Sequence, residues 1–200
     1  MKILGSINSS CYIGCSGGRD SMSLLTFLLK GRRNVEILYF NHGTLFADCS
    51  EKFLKKFCSE NNLKLHIGYY TGNKFTENDW RNSRYEFFSR FKDKPIYLGH
   101  HLQDNIETYI MSDMKGTAKF IPYQRDNIIR PFLLVSNKEI NEYCVKNNVT
   151  WIEDPSNSEN NYDRNKIRNQ IIPVLKEINP GLERTFYYKC LGKYERDGII

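Results

Sequence analysis

Residues 16–21, Ser-Gly-Gly-Arg-Asp-Ser, have the composition of a phosphate-binding loop. They follow an apolar run, Ser10 to Cys15, that predicts a strand, and they precede Met22 to Lys30, which predicts a helix. Glycines let the backbone approach a ligand closely, and the first turn of a helix offers unpaired N–H groups to an anion. Ser16 and Ser21 add hydroxyl donors. The sequence therefore predicts that this loop binds phosphate groups.

Asp20 is the unusual member of the loop, because a carboxylate repels phosphate unless a cation lies between them. A Mg²⁺ ion bridging Asp20 to a phosphate satisfies this requirement, and capping of the following helix is the alternative role. The loop lacks the lysine of Gly-x-x-x-x-Gly-Lys-Ser/Thr and does not match Gly-x-Gly-x-x-Gly. Two common nucleotide-binding motifs are thereby excluded.

Polar residues also follow two later strands. Asn41 and His42 come directly after the apolar run Val35 to Phe40. Residues 99–108, Gly-His-His-Leu-Gln-Asp-Asn-Ile-Glu-Thr, end the predicted strand Pro95 to Gly99 and open a helix. Because ligands of open α/β sheets bind at the carboxyl ends of the strands, these segments are expected beside the phosphate loop.

Two carboxylates on the helix after residue 99 form a second candidate site. Asp104 and Glu107 are three residues apart, so they share a helix face. Such a pair can hold an ammonium group or accept its proton. The alternatives are that Asp104 caps the helix and that His100 and His101 are structural.

Two pairs of arginines have helical spacing. Arg81 and Arg84 are three apart in a predicted helix, where they can grip a carboxylate or phosphate or form an ordinary surface ion-pair helix. Arg164 and Arg168 are four apart, which suits contacts with an RNA backbone or a solvated helix face equally well.

Composition limits the classes of protein that fit. With 200 residues, 40% of them hydrophobic, the chain can bury a sizeable core and is not disordered. No apolar stretch reaches membrane-spanning length and the N-terminus lacks a secretory segment, so a cytoplasmic protein without membrane contact is expected. Six cysteines without Cys-x-x-Cys spacing argue against a metal–thiolate site. The net charge of +6 permits a polyanion partner or a solvated basic surface, and monomer and homo-oligomer both stay open.

The order of predicted elements gives the fold class. Strands and helices alternate up to Gly116, which predicts an α/β fold with a Rossmann-like parallel sheet and helices on both faces. A hairpin is expected around Arg125 to Asn127, and Ser136 with Glu139 forms a capping-box pattern. We expect a nucleotide-binding domain over residues 1–135 and a short helical extension over 136–200, with helices over Asp163 to Ile178 and Leu182 to Tyr194.

The motifs together resemble the tRNA(Ile)-lysidine synthase family, within the PP-loop ATP pyrophosphatase superfamily. The resemblance runs from about Tyr12 to Leu175. It is carried by residues 16–21, Asn41-His42-Gly43, Glu77 with Arg81 and Arg84-Tyr85, residues 100–108, Arg130-Pro131-Phe132-Leu133, Trp151 with Asp154-Pro155-Ser156-Asn157, and Arg164-Asn165 with Arg168 and Pro173.

The resemblance implies a reaction in two steps. ATP, with Mg²⁺, adenylates carbon 2 of the wobble cytidine in an isoleucine tRNA with a CAU anticodon, and L-lysine then displaces AMP. It assigns catalysis to Asp20, Asp104 and Glu107; ATP contacts to Ser16, Gly17, Gly18, Asp20, Ser21, Asn41 and His42; lysine or phosphate contacts to Arg81, Arg84, Asp104 and Glu107; and Mg²⁺ to Asp20. The predicted tRNA contacts are Lys115, Lys119, Arg125, Arg164 and Arg168.

Departures from the family leave two alternatives open. Thr44-Leu45 stands where the family usually has Leu-Arg, Gln103 replaces a usual carboxylate, and Trp80 occupies a position usually filled by alanine. The chain ends at Ile200, so no separate C-terminal tRNA-binding domains are expected. The alternatives are another PP-loop tRNA-modifying enzyme, such as a thiolase, and a non-catalytic tRNA-binding relic.

Overall fold

The computed structural model describes residues 1–73, 76–155 and 162–199. Its strands are β1 (Ser10–Gly14), β2 (Asn34–Asn41), β3 (Lys64–Tyr69), β4 (Ile96–Leu98), β5 (Gln124–Arg125) and β6 (Ile128–Ile129). Its helices are α1 (Arg19–Lys30), α2 (Leu45–Glu60), α3 (Glu77–Phe88), α4 (Leu102–Asp113), α5 (Asn137–Lys146), α6 (Asp163–Lys166), α7 (Ile172–Ile178) and α8 (Leu182–Arg196), with a π-helical segment (Ile167–Ile171) between α6 and α7. None of these described helices could cross a membrane.

The strands form one sheet of six among the described residues, in the order β3-β2-β1-β4-β6-β5. All neighbouring pairs are parallel except β5 with β6, which is the hairpin expected around Arg125 to Asn127. Asp126 takes a positive φ of 55° in its turn, a conformation that Asp tolerates better than most residues. The α/β fold class with helices on both sides of a mainly parallel sheet is confirmed.

The central strands are apolar on both faces because helices cover each side. On β1, Cys11 and Ile13 point into a cluster with α1, α2 and α5, while Tyr12 points into a cluster with Phe87 and Phe88 of α3. The side-chain period of two therefore divides one strand between two cores.

A third core joins α4 to the C-terminal helices. Ile106 of α4 packs there with Ile172, Phe186 and Tyr194. The stretch 163–178, expected as one helix, contains the π-helical segment just before Pro173. Proline has no N–H to bond the carbonyl four residues earlier, so the α-helical pattern cannot run unbroken through this point. Helix α5 packs against α1 in the first core, and the domain boundary at residue 135 stays a prediction.

Two glycines allow close packing where the site forms. A Cβ on Gly99 would lie 2.9 Å from the backbone oxygen of Asp20, and one on Gly14 would lie 2.5 Å from Leu98 Cδ2. The end of β4 therefore lies directly against the first turn of α1, which brings residues 99–104 beside Asp20. Any side chain at residue 99 would force the two apart.

We predict that Gly99→Ala lowers the free energy of unfolding by about 1–3 kcal/mol, because the added methyl group meets backbone that cannot rotate away. The control is Gly192→Ala in α8, where the nearest group is the flexible end of Arg196 at 3.6 Å. That substitution should raise the unfolding free energy by roughly 0.5–1 kcal/mol through helix propensity. Urea denaturation measures both, and equal effects would contradict the close approach.

Candidate active site

The loop between β1 and α1 keeps the start of α1 open. Gly17 has a φ of +83°, and its carbonyl accepts a hydrogen bond from Ile152 N at 3.0 Å. Gly18 is the N-cap residue, and no side chain caps α1. The first N–H groups of α1 are thus not covered by a capping side chain, as anion binding requires. Asp20 does not take the capping role that was its alternative.

Ser21 shapes the loop. Its hydroxyl donates to the carbonyl of Gly18 at 2.9 Å and accepts from the backbone N–H of Ser16 at 3.2 Å. The two serine hydroxyls are 3.2 Å apart. Ser21 is buried while Ser16 is exposed, so Ser16 presents its hydroxyl to the opening and Ser21 fixes the turn behind it.

Asp20 lies between two donors. Arg19 contacts its Oδ1 through Nε at 2.9 Å and through NH2 at 2.8 Å, and His101 Nε2 lies 3.4 Å from its Oδ2. Burial would raise the pKa of Asp20, but the His101 imidazole and the Arg19 guanidinium outweigh burial and lower it. Arg19 is anchored in turn by Asn137 at 2.7 Å and Asn141 at 2.9 Å, both on α5.

His101 connects Asp20 to the start of α4. Its Nδ1 accepts a hydrogen bond from Gln103 N at 3.2 Å, which places a neutral ring's proton on Nε2, facing Asp20. Asp104 Oδ2 accepts from the backbone N–H of His101 at 2.9 Å, completing a capping box. Asp104 therefore makes the helix cap that was its structural alternative, while its other oxygen pairs with Arg164 and the residue lines the first cavity described below.

Two arginines compensate the two carboxylates. Glu107, fully buried, accepts from Arg164 Nε at 2.7 Å and from Arg168 Nε at 2.6 Å, and Arg164 also contacts Asp104 Oδ1 at 3.0 Å. Although burial would raise the pKa of Asp104, the neighbouring histidines and Arg164 lower it. Burial would lower the pKa of each arginine, but their carboxylate partners raise it.

This arrangement differs from the expected position of Arg164 and Arg168. We expected a helix face open to an RNA backbone, and the four-residue spacing does place both guanidinium groups on one face. That face packs inward against α4, where Glu107 supplies a charge that needs partners once it is buried. Sequence spacing fixes which residues share a face but not where that face points.

Asn41 and His42 occupy different environments. Asn41 is buried, and its amide donates to Asp48 at 3.0 Å and Glu51 at 2.8 Å while its oxygen accepts from Gly43 N, so the side chain is committed to the β2–α2 turn. His42 lines the first cavity described below, and burial lowers its pKa to about 4. His42 is therefore neutral at pH 7.

Three cavities open around the loop and the carboxylates. The first, about 300 Å³, lies between the loop, the end of β2 and α3; its polar lining residues are Ser16, Asp20, Ser21, His42, Thr44, Ser50, Arg84, His100, Asp104 and Asp154. The second, about 710 Å³, is lined by the loop, Arg19, residues 151–155 and Arg168. The third, about 450 Å³, lies beside α4 and contains Arg81, Lys115, Lys119 and Arg125.

Shared walls join these cavities into one site. Asp20 lines the first and second cavities, and His100 lines the first and third. Arg84 lines the first cavity and Arg81 the third, and a joint grip of the two on one anion stays a prediction. Ser156 and Asn157 lie outside the described residues, as does the side chain of Glu77.

The residues present fit a Mg²⁺ ion only in part. Among the described residues there is no group of three His, Cys, Asp or Glu side chains placed to hold a metal. Asp20 alone at the loop matches the way Mg²⁺ is commonly bound, through one or two carboxylates with water and substrate phosphates completing the shell. A metal at Asp20 would therefore require bound phosphate.

Two arginines at the site are not among the candidate residues predicted from the sequence. Arg19 stands at the variable position of the loop motif, and its place between Gly18 and Asp20 was the available signal. Arg130 was noted only as part of a motif, but it is 2% exposed and lines the third cavity. A buried arginine cannot be recognised from the sequence because burial depends on the packing of distant segments.

Comparison with known proteins finds relatives that match most of this chain. The tRNA(Ile)-lysidine synthase of Clostridioides difficile is 36% identical over 88% of this chain and 45% of the relative. The enzymes of the same name from Bacillus subtilis (33% identical, 89% of this chain, 43% of the relative) and Petrotoga mobilis (34%, 88% and 63%) are also similar. The chain spans about half the length of most of these curated relatives.

The fold itself is similar to a solved structure. The NH3-dependent NAD synthetase of Campylobacter jejuni superposes with a TM-score of 0.50 over 90% of this chain and 83% of that one, at 17% identity. The model of the PP-loop domain family, whose designation includes ATP binding, matches residues 3–175, which include the loop, both carboxylates and both of their arginines. On this evidence the chain belongs to the PP-loop domain family.

Proposed function

We propose that this chain is an ATP-dependent tRNA-modifying ligase that forms lysidine. It adenylates carbon 2 of the wobble cytidine of a CAU-anticodon isoleucine tRNA, releases pyrophosphate, and lets L-lysine displace AMP. One observation carries the proposal. The phosphate loop, the carboxylate pair and the third cavity, which is lined by arginines and lysines, lie together at the carboxyl ends of the strands. The relatives' names give the same substrate class.

The first step uses the loop. In this proposal ATP binds at the first cavity with its phosphates toward the open start of α1, where backbone N–H groups and Ser16 stabilise the leaving pyrophosphate. Bound Mg²⁺ would supply further positive charge against the phosphates. Asp20 would contact that ion, while Arg19 and His101 hold its carboxylate in place.

The second step uses the carboxylate pair. Asp104, Glu107, Arg164 and Arg168 together carry no net formal charge, so an incoming lysine meets both signs. Its ammonium is attracted by Asp104 and its carboxylate by the arginines. Because the pKa of Asp104 is lowered, this residue is a poor proton acceptor and is better suited to orient the amine.

The alternatives receive less support from the geometry. A thiolase needs a reactive cysteine or a cluster site. All the cysteines except Cys49 are buried, and the described residues contain no group of three or more His, Cys, Asp or Glu side chains placed to hold a metal. A relic has no need of a carboxylate at the phosphate loop, yet Asp20 is present there and is held by Arg19 without capping α1. The cytoplasmic location and the oligomeric state stay predictions.

Incubation with ATP, L-lysine and a CAU-anticodon tRNA transcript should yield AMP and pyrophosphate in equal amounts and a tRNA whose mass has gained lysine less water. Labelled ATP and mass spectrometry of the digested tRNA measure these products. A transcript with uridine at the wobble position is the control and should give neither. Formation of ADP and phosphate would contradict the mechanism.

Asp20→Asn should reduce the rate of pyrophosphate release by about 100-fold or more, because an essential charge is removed at the phosphate end of the site. Its unfolding free energy should change by less than about 1 kcal/mol, since the amide oxygen can still accept from Arg19. Asp113→Asn, at the exposed end of α4, is the matched control. Wild-type turnover in the Asp20 variant would exclude a role for its charge.

Glu107→Gln should lower the unfolding free energy by about 3 kcal/mol, because it leaves two arginines beside a buried neutral group. This figure is at the lower end for buried pairs since Arg164 and Arg168 keep some solvent contact. The control is Glu142→Gln, which breaks an exposed pair with Lys138 and should change stability by less than about 0.5 kcal/mol. Urea denaturation distinguishes them, and equal losses would refute the buried cluster.

A further inference from the structure

Apart from Arg164, the arginines and lysines that line the third cavity have no role in the two chemical steps proposed above. We call it the cationic cavity; its charged lining residues are Arg81, Lys115, Lys119, Arg125, Arg130 and Arg164. No Asp or Glu is among the described residues that line it. Arg164 is paired with Asp104 and Glu107, and the remaining positive charge around this cavity of about 450 Å³ attracts an anion and repels a cation.

Two buried polar atoms at the cationic cavity lack partners among the described residues. Arg130 donates from NH1 to Pro122 O at 2.9 Å and from NH2 to Tyr85 Oη at 3.1 Å, but its buried Nε has no partner. The Nδ1 of His100 is also buried and unpartnered. A buried guanidinium N–H without an acceptor costs free energy. An anionic ligand at this wall would remove that cost by accepting a hydrogen bond from the guanidinium group.

An aromatic ring completes the wall. Arg81 lies 5.0 Å and Arg125 5.8 Å from the ring centroid of Tyr85, whose hydroxyl accepts a hydrogen bond from Arg130 NH2. Burial would raise the pKa of Tyr85, but the surrounding arginines outweigh burial and lower it. Arginines stacked on an aromatic ring present flat surfaces on which a nucleotide base can pack and charges that pair with its phosphate.

We propose that the cationic cavity binds a phosphate group of the RNA strand that carries the reacting cytidine, with Arg130 at its inner wall and Lys119 and Arg125 at its mouth. This inference rests on the proposed function. His100 lines both this cavity and the first, so a phosphate here lies next to the nucleotide that meets ATP. Free lysine is disfavoured as the occupant because it carries net positive charge.

The test compares RNA binding by variants of the mouth and the inner wall. The probe is a short CAU-anticodon stem-loop RNA, measured by fluorescence anisotropy over a range of salt concentrations. Lys119→Gln with Arg125→Gln should weaken binding roughly tenfold or more and reduce the log–log salt slope by about 1–2, as expected for the loss of two phosphate contacts. Lys52→Gln with Lys138→Gln, both exposed and outside the lining of every cavity described, is the matched control and should bind as wild type.

Arg130→Lys tests the inner wall separately. It keeps the charge but loses the planar fork, so we expect a raised KM for RNA with an unchanged Kd for ATP. If this variant does not fold by circular dichroism, the mouth variants decide the question. Unchanged RNA affinity and an unchanged salt slope in the mouth variants would overturn the inference. It would also be overturned if these variants bound free lysine more weakly but bound RNA as the wild type does. Failure of the proposed function is a separate result, namely wild-type chain that binds RNA but forms no lysidine.

Discussion

The buried charge of Glu107 is the constraint on which the site depends. A carboxylate with no solvent exposure must be paired, and its partners come from the π-helical segment and the helix before it, about sixty residues further along the chain. Satisfying Glu107 therefore fixes the C-terminal helices against α4. The same contact places Arg164 beside the third cavity and Arg168 beside the second. One ion-pair cluster thus attaches α6 and the π-helical segment to α4 and contributes a lining residue to each of two cavities.

The sequence was sufficient for features that depend on neighbouring residues. Apolar runs predicted the strands β1, β2 and β4 and the helices α1, α3 and α4, and the capping box of Ser136 with Glu139 forms as expected. The phosphate loop was predicted because its glycines and its strand–helix setting are local properties. The hairpin at Asp126 was likewise visible in turn-forming residues.

Features that depend on tertiary packing could not be predicted in the same way. The partners of Arg164 and Arg168 depend on which side of a helix faces α4, and the separation of Arg81 from Arg84 depends on how α3 lies between two cavities. Asn41 stands at the end of a strand, where ligand-binding residues often lie, but its side chain makes hydrogen bonds with Gly43 and with the start of α2. The π-helical segment comes just before Pro173, which lacks the N–H that would continue the α-helical hydrogen bonds. A hydrophobic pattern does not reveal this change in hydrogen bonding.

The strand order has an electrostatic consequence. The connections leave β1 in one direction across the sheet and β4 in the other, so α1 and α4 both begin at the crevice between these strands. Each helix start carries roughly half a positive charge from its peptide dipoles. Both helices carry a carboxylate in the first turn, Asp104 in α4 and Asp20 in α1, but only α4 is capped by side chains. The N–H groups of the phosphate loop belong to the backbone, which neither gains nor loses protons, so any pH dependence of anion binding there comes from side chains such as Asp20 and His101.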